Sequence, residues 1–138
     1  VSDPIFPSAA GRSLAAGDLT VPPEMREALA FVHRIGGDEL IDKVVTLFRT
    51  SSEERLVALR AALGSNDRHA VRRLAHALKG SAAQVGAEGL RSAAASVEAT
   101  AGELPADALA AEIEALAGLA AVARELLEQE KARAGSPA

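Results

Sequence analysis

The chain has 138 residues, 49% hydrophobic and 25% charged, which is the size and balance of one globular domain with a single core. A net charge of -4 and a pI near 5.4 exclude a general nucleic-acid binder, which would show a basic stripe and a raised pI. No apolar run approaches a membrane span, no basic-then-hydrophobic leader opens the chain, and the absence of cysteine excludes disulfides and thiolate metal sites, so a soluble, cytoplasmic segment is expected.

Alanine and leucine dominate, the aromatics are Phe6, Phe31 and Phe48, and no period-two pattern survives, so the chain reads as all-α. Residues 1–22 mix Pro4, Pro7, Gly11, Gly17 and Pro22 with serine and read as a flexible arm or linker. A start at Val1 fits a processed chain or a piece of a longer one. Pro23 suits a first helical position, and Met25, Leu29, Val32 and Ile35 form a short amphipathic helix ending at Gly36-Gly37. Asp38 can cap a second helix, whose broad apolar surface runs from Leu40 through Phe48 to Leu63 and stops at Gly64. Ser65 or Asn66 caps a third, which runs to about Gly86. A fourth uses Leu90, Ala94 and Val97. A fifth opens near Pro105 with Leu109, Ile113, Leu116, Ala120, Ala123 and Leu127. Short connections predict an antiparallel four-helix bundle over residues 23–130 with a short additional N-terminal helix, and residues 131–138 as a disordered tail.

The third helix carries the chemistry. At 100° per residue Val71, Leu74, Leu78 and Val85 share one side, which must face the core, and His76 lies almost opposite. Within about 60° of it fall His69, Arg72, Arg73, Lys79, Gly80 and Ala83, with Gln84 at the edge, so the outer stripe is cationic although the chain is acidic. A histidine filling the core would share the direction of Leu74 and Leu78. A solvated face that happens to carry a histidine is the plainer alternative, and Gly80 counts against it. Glycine inside a helix costs about 1 kcal/mol relative to the alanine this sequence uses nearly everywhere else. Helical side chains lean toward the N-terminus, so a side chain at position 80 would cover His76, and glycine leaves the imidazole open. Lys79 leans the same way and can set its ammonium beside a phosphoryl group on the ring.

The run His76-Ala77-Leu78-Lys79-Gly80-Ser81 resembles the motif of histidine-containing phosphotransfer (HPt) domains of two-component multistep phosphorelays, with the similarity spanning about Met25 to Leu127. The resemblance implies His76 as phosphoacceptor, Lys79 as phosphoryl stabiliser, Gly80 as the glycine that admits the partner, Ser81 as the small residue after it and Gly86 as the second glycine. It implies a carrier that takes a phosphoryl group from one response-regulator receiver aspartate onto a ring nitrogen, Nε2, and passes it to another receiver. Cofactors are none in this chain; Mg2+ is expected on the receiver. The sequence holds no Walker-type loop and no glycine-rich kinase box, so it reads as a relay rather than an enzyme. No carboxylate accompanies His69 and His76 on the stripe, so no metal site is expected.

For partners, the docking surface is expected around Arg72, Arg73, His69, Ala83 and Gln84, together with the exposed edge of the second helix. Arg72 and Arg73 either meet acidic receiver residues or solvate the helix. Val45 and Phe48 belong to core or interface, with the core favoured for Phe48. His33, outside any such spacing, reads as incidental. The linker-like residues 1–22 fit the C-terminal module of a hybrid sensor kinase, a kinase in the same chain, as well as a stand-alone relay. The alternatives are the phosphoacceptor domain of a chemotaxis-type kinase and a helical adaptor that carries no phosphate. A histidine-kinase dimerisation domain is disfavoured because Ala77 and Leu78, not an acidic residue, follow His76.

Overall fold

The computed structural model describes residues 20–135, so residues 1–19 of the expected arm and 136–138 of the expected tail lie outside the described residues. Among the described residues there are four helices and no strands: α1 (Pro23–Gly64), α2 (Arg68–Gln84), α3 (Glu88–Thr100) and α4 (Ala106–Ala134). Each packs against the next and α4 returns to α1, so the four enclose a common core. None of these helices is long and apolar enough to cross a membrane.

Pro23 opens α1, its fixed φ suiting a first turn that needs no donor there. The helix runs on to Gly64 as one element, but Gly37 inside it has φ 69 and ψ -162, a left-handed backbone that glycine adopts at little cost, and the axis kinks there. Before the kink Met25 and Leu29 are buried and Val32 half-buried; Ile35, expected on the same stripe, is exposed. After it Ile41, Val45, Phe48, Leu56 and Leu59 enter the core, which places both Val45 and Phe48 inside rather than at the surface.

Neither Ser65 nor Asn66 caps α2. Asp67 does, its carboxylate accepting from the Ala70 N–H at 3.0 Å, while Asn66 turns the chain with φ 55. Arg68 then donates to the carbonyls of Ala101 (3.0 Å) and Leu104 (2.7 Å), satisfying the end of α3 and tying the α3–α4 turn to the start of α2. Val71, Ala75, Leu78, Ala82 and Val85 are fully or nearly fully buried, and Leu74 is only half-buried against them. The buried stripes of α3 (Leu90, Ala94, Val97) and α4 (Leu109, Ile113, Leu116, Ala120, Ala123, Leu127) fall on the expected residues. The last helix reaches Ala134, four residues past the expected end of the bundle at residue 130 and into the expected tail. Glu130 is buried and ion-paired to Arg133, and Lys131 donates to Asp42 on α1 at 2.9 Å, which holds this end down.

Gly86 joins α2 to the front of α1. Its φ is 72, and a Cβ there would stand 2.7 Å from the Met25 amide nitrogen and closer still to the Glu24 carbonyl. Gly86→Ala combines left-handed strain with a backbone clash that cannot yield without lifting residues 23–36. It is expected to cost about 3 kcal/mol, read as a lowered urea midpoint. An unchanged midpoint would mean that this close approach adds nothing to stability.

Candidate functional site

Because α2 turns its small and branched residues inward, its outer surface is left to polar ones, and His76 stands 66% exposed at mid-helix. Gly80, one turn on, is also exposed, and a Cβ there would meet no atom within 4 Å. Among the described residues nothing outside its own helix stands where a side chain at position 80 would begin, so that space is open to another molecule.

The imidazole is nevertheless held. Glu98, reaching across from α3, accepts from His76 Nδ1 at 2.8 Å with one carboxylate oxygen and lies 2.8 Å from Lys79 Nζ with the other. An ionised carboxylate only accepts, so the hydrogen sits on Nδ1 and the lone pair of a neutral ring is on Nε2. The hydrogen bond from Lys79, then that from His76, holds the Glu98 carboxyl below the usual carboxylate range. A depressed carboxylate contributes its bridge fully above the ordinary carboxylate pKa and loses it only as pH falls through the lowered value, so the bridge is intact at neutral pH. Glu98 is 25% exposed and Lys79 32%, which puts the two-armed contact at the edge of the α2–α3 groove, partly shielded from water.

The absence of a carboxylate beside His76, expected from the α2 stripe, is thus corrected: Glu98 comes from another helix. It follows the buried Val97 on α3, so it emerges at the rim of that helix's buried stripe. That placement was the available signal. Of the other stripe residues, Arg73 and His69 are exposed, with no ion-pair partner among the described residues. Arg72 is exposed and its guanidinium turns toward the α3–α4 connection, where a Cβ on Gly102 would be 3.1 Å from Nη2. Ala83 and Gln84 are exposed.

On the side of His76 away from Glu98, a hollow of about 390 Å³ runs between α1 and α2 past Ala77, Gly80 and Gln84. Its α1 wall presents Leu47, 65% exposed, beside Phe48, which also lines the hollow but is buried, as favoured for it. Ser81 accepts a hydrogen bond from Arg55 of α1 at the same wall. His33, remote in sequence, pairs with Asp38 across the Gly37 kink at 3.2 Å.

No curated protein and no solved structure matches the chain. The family model described as Hpt domain matches residues 43–134, more than half of the sequence and all of α2, α3 and the motif turn. Hpt domains are phosphocarrier modules of two-component phosphorelays, not enzymes, and interact with response-regulator receiver domains. With an exposed histidine, an open glycine and a match of this extent, the chain belongs to the Hpt domain family.

Proposed function

We propose that His76 carries the phosphoryl group, receiving it from the aspartate of one receiver and giving it to the aspartate of another. The observation that supports this most is the Glu98 contact, which occupies Nδ1 and leaves the Nε2 lone pair on an exposed ring above an open glycine. Nε2 attacks phosphorus, the P–O bond of the acyl phosphate breaks with its electron pair left on the receiver's aspartate, and an N-phosphorylated imidazolium results. Its Nδ1–H stays on Glu98, whose charge faces the new cation. Delivery to the second receiver is the reverse. Mg2+ belongs to the receiver's side of the interface.

Lys79 stabilises the transferred group. It already stands beside Glu98, so moving to a phosphoryl oxygen exchanges one anion for another instead of ordering a free side chain. Arg72, Arg73, His69, Ala83 and Gln84 form the rim against which the receiver rests, and Arg72 and Arg73 offer it positive charge. The bundle is antiparallel, with residues 23–36 as a short extra helix across one end. The module sits at the C-terminus of a hybrid sensor kinase or acts alone. The phosphoacceptor domain of a chemotaxis-type kinase remains the second reading, favoured by the carboxylate on Nδ1, which would equally serve a ring phosphorylated by a kinase domain.

Incubation with a phosphorylated receiver is expected to give acid-labile, base-stable label on the wild-type chain. No label with any receiver would leave the adaptor reading in its place. Glu98→Ala is expected to slow transfer about tenfold or more and to lose the preference for the Nδ1–H tautomer seen by 15N NMR, with folding retained. Lys79→Ala slows transfer without moving the tautomer. Equal rates and an unchanged tautomer in Glu98→Ala would reduce Glu98 to an ordinary surface ion pair.

A further inference from the structure

Of the two aromatic side chains among the described residues, Phe48 fills the core and Phe31 is left in solvent, 56% exposed. Ile35, one turn on, is 64% exposed. Both belong to the opening segment of α1, before the Gly37 kink and outside the span matched by the family model. That segment turns Met25, Leu29 and Val32 toward the core. Ala28, Phe31 and Ile35 fall together on a second stripe, about a quarter-turn from the first, with Glu24 at its outer end. Ala28 and Phe31 also wall an open hollow of about 530 Å³, so among the described residues the space beside them is unfilled.

The spacing 24, 28, 31, 35 alternates steps of four and three, which is the seam of a two-helix coiled coil. Glu27 and Arg34 lie one heptad apart along the outer flank of that seam. Both are exposed, and neither has an ion-pair partner among the described residues. Arg34 instead stands over the Phe31 ring, its guanidinium 5.7 Å from the centroid. Seven positions, roughly 10 Å along the helix, keep Glu27 and Arg34 of one chain apart.

We infer that the opening segment of α1 pairs with the same segment of a second copy of this chain, antiparallel and about a two-fold axis. In that register Ala28 of each copy sits against Phe31 of the other, and Ile35 closes the end of the seam at Glu24. Glu27 meets Arg34 of the second copy, and by symmetry Arg34 meets its Glu27, so two ion pairs flank one apolar seam. The parallel register is rejected. It sets the two Glu24 carboxylates against each other and turns Glu27 toward Val32, while the position that Arg34 would meet, 39, lies beyond the kink. Gly37 ends the seam, so the paired stretch is only about 17 Å long and the dimer is a weak, concentration-dependent one. The pairing uses no atom of His76 and stands apart from the phosphoryl reading.

Sedimentation equilibrium of the full chain over about 1 to 500 μM is expected to show the mass rising from 14.1 kDa toward twice that value. Glu27→Arg and Arg34→Glu each set like charges against each other at both flanking contacts, and each is expected to weaken self-association about tenfold or more. Both positions are exposed, so both variants are expected to melt as the wild type does. Mixed in equal amounts the two variants are complementary, because every contact between positions 27 and 34 then joins opposite charges. The mixture is expected to associate as the wild type does, within about twofold. Phe31→Ser is expected to abolish association across the same range. A wild-type mass that stays at 14.1 kDa throughout overturns the pairing. Association undiminished in both single variants, or a mixture no tighter than its components, overturns it as well.

Discussion

A His76→Gln chain is expected to fold as the wild type does and to take up no phosphoryl label from any receiver. Removing the ring costs little stability, within about 0.5 kcal/mol, because it is two-thirds exposed and its hydrogen bond is to Glu98, which keeps Lys79 as a partner. The loss of function is complete because glutamine offers an amide where the reaction needs a nitrogen lone pair, while keeping a polar side chain that reaches Glu98. Thermal melting and acid-quenched labelling read the two effects separately. Label persisting in the variant would move the acceptor to His69 or His33 and sink the assignment of His76.

Gly80→Leu is expected to move stability and activity in opposite directions. A leucine here enters open space, replaces a poor helix former with a good one and gains about 1 kcal/mol of helix propensity, which raises the melting temperature by a few degrees. The same side chain leans back over His76 and fills the mouth of the hollow where the receiver must approach. A phosphorus atom held even 1 Å too far from Nε2 reacts on the order of 100-fold more slowly. Single-turnover transfer from a phosphorylated receiver measures this, with phosphoramidate as the small donor that the leucine should hinder far less. Undiminished transfer from the receiver would show that the glycine has nothing to do with access.

Which parts of this arrangement could be read from the chain follows from the range of the interactions involved. Helix periodicity is local, so the buried stripes of α3 and α4 and the outward direction of His76 were visible in spacing alone. Capping depends on a choice among neighbouring residues, and three adjacent polar positions, Ser65, Asn66 and Asp67, competed for one N-cap. The left-handed turn at Asn66 gave it to Asp67. A single helical wheel treats its outer half as uniform solvent, which is why Leu74 was placed too deep and Glu98 was missed. Only the packing of α3 beside α2 brings a carboxylate 22 positions away onto Nδ1. Phe48 and Leu47 show the same limit in reverse: adjacent in sequence and both apolar, they part at the α1–α2 boundary, one into the core and one onto the surface.

Gly86 approaches the front of α1 at main-chain atoms of Glu24 and Met25, and Met25 and Leu29 bury their side chains there, so the seating of that segment does not depend on the exposed side chain at position 24. Position 27, exposed one turn further on, is equally unencumbered. The attachment and the lettering of the surface are therefore separable: residues 24 and 27 can be rewritten without unseating the helix that presents them. Substitutions at positions 24 and 27 are therefore expected to leave the melting temperature of the chain close to that of the unaltered protein.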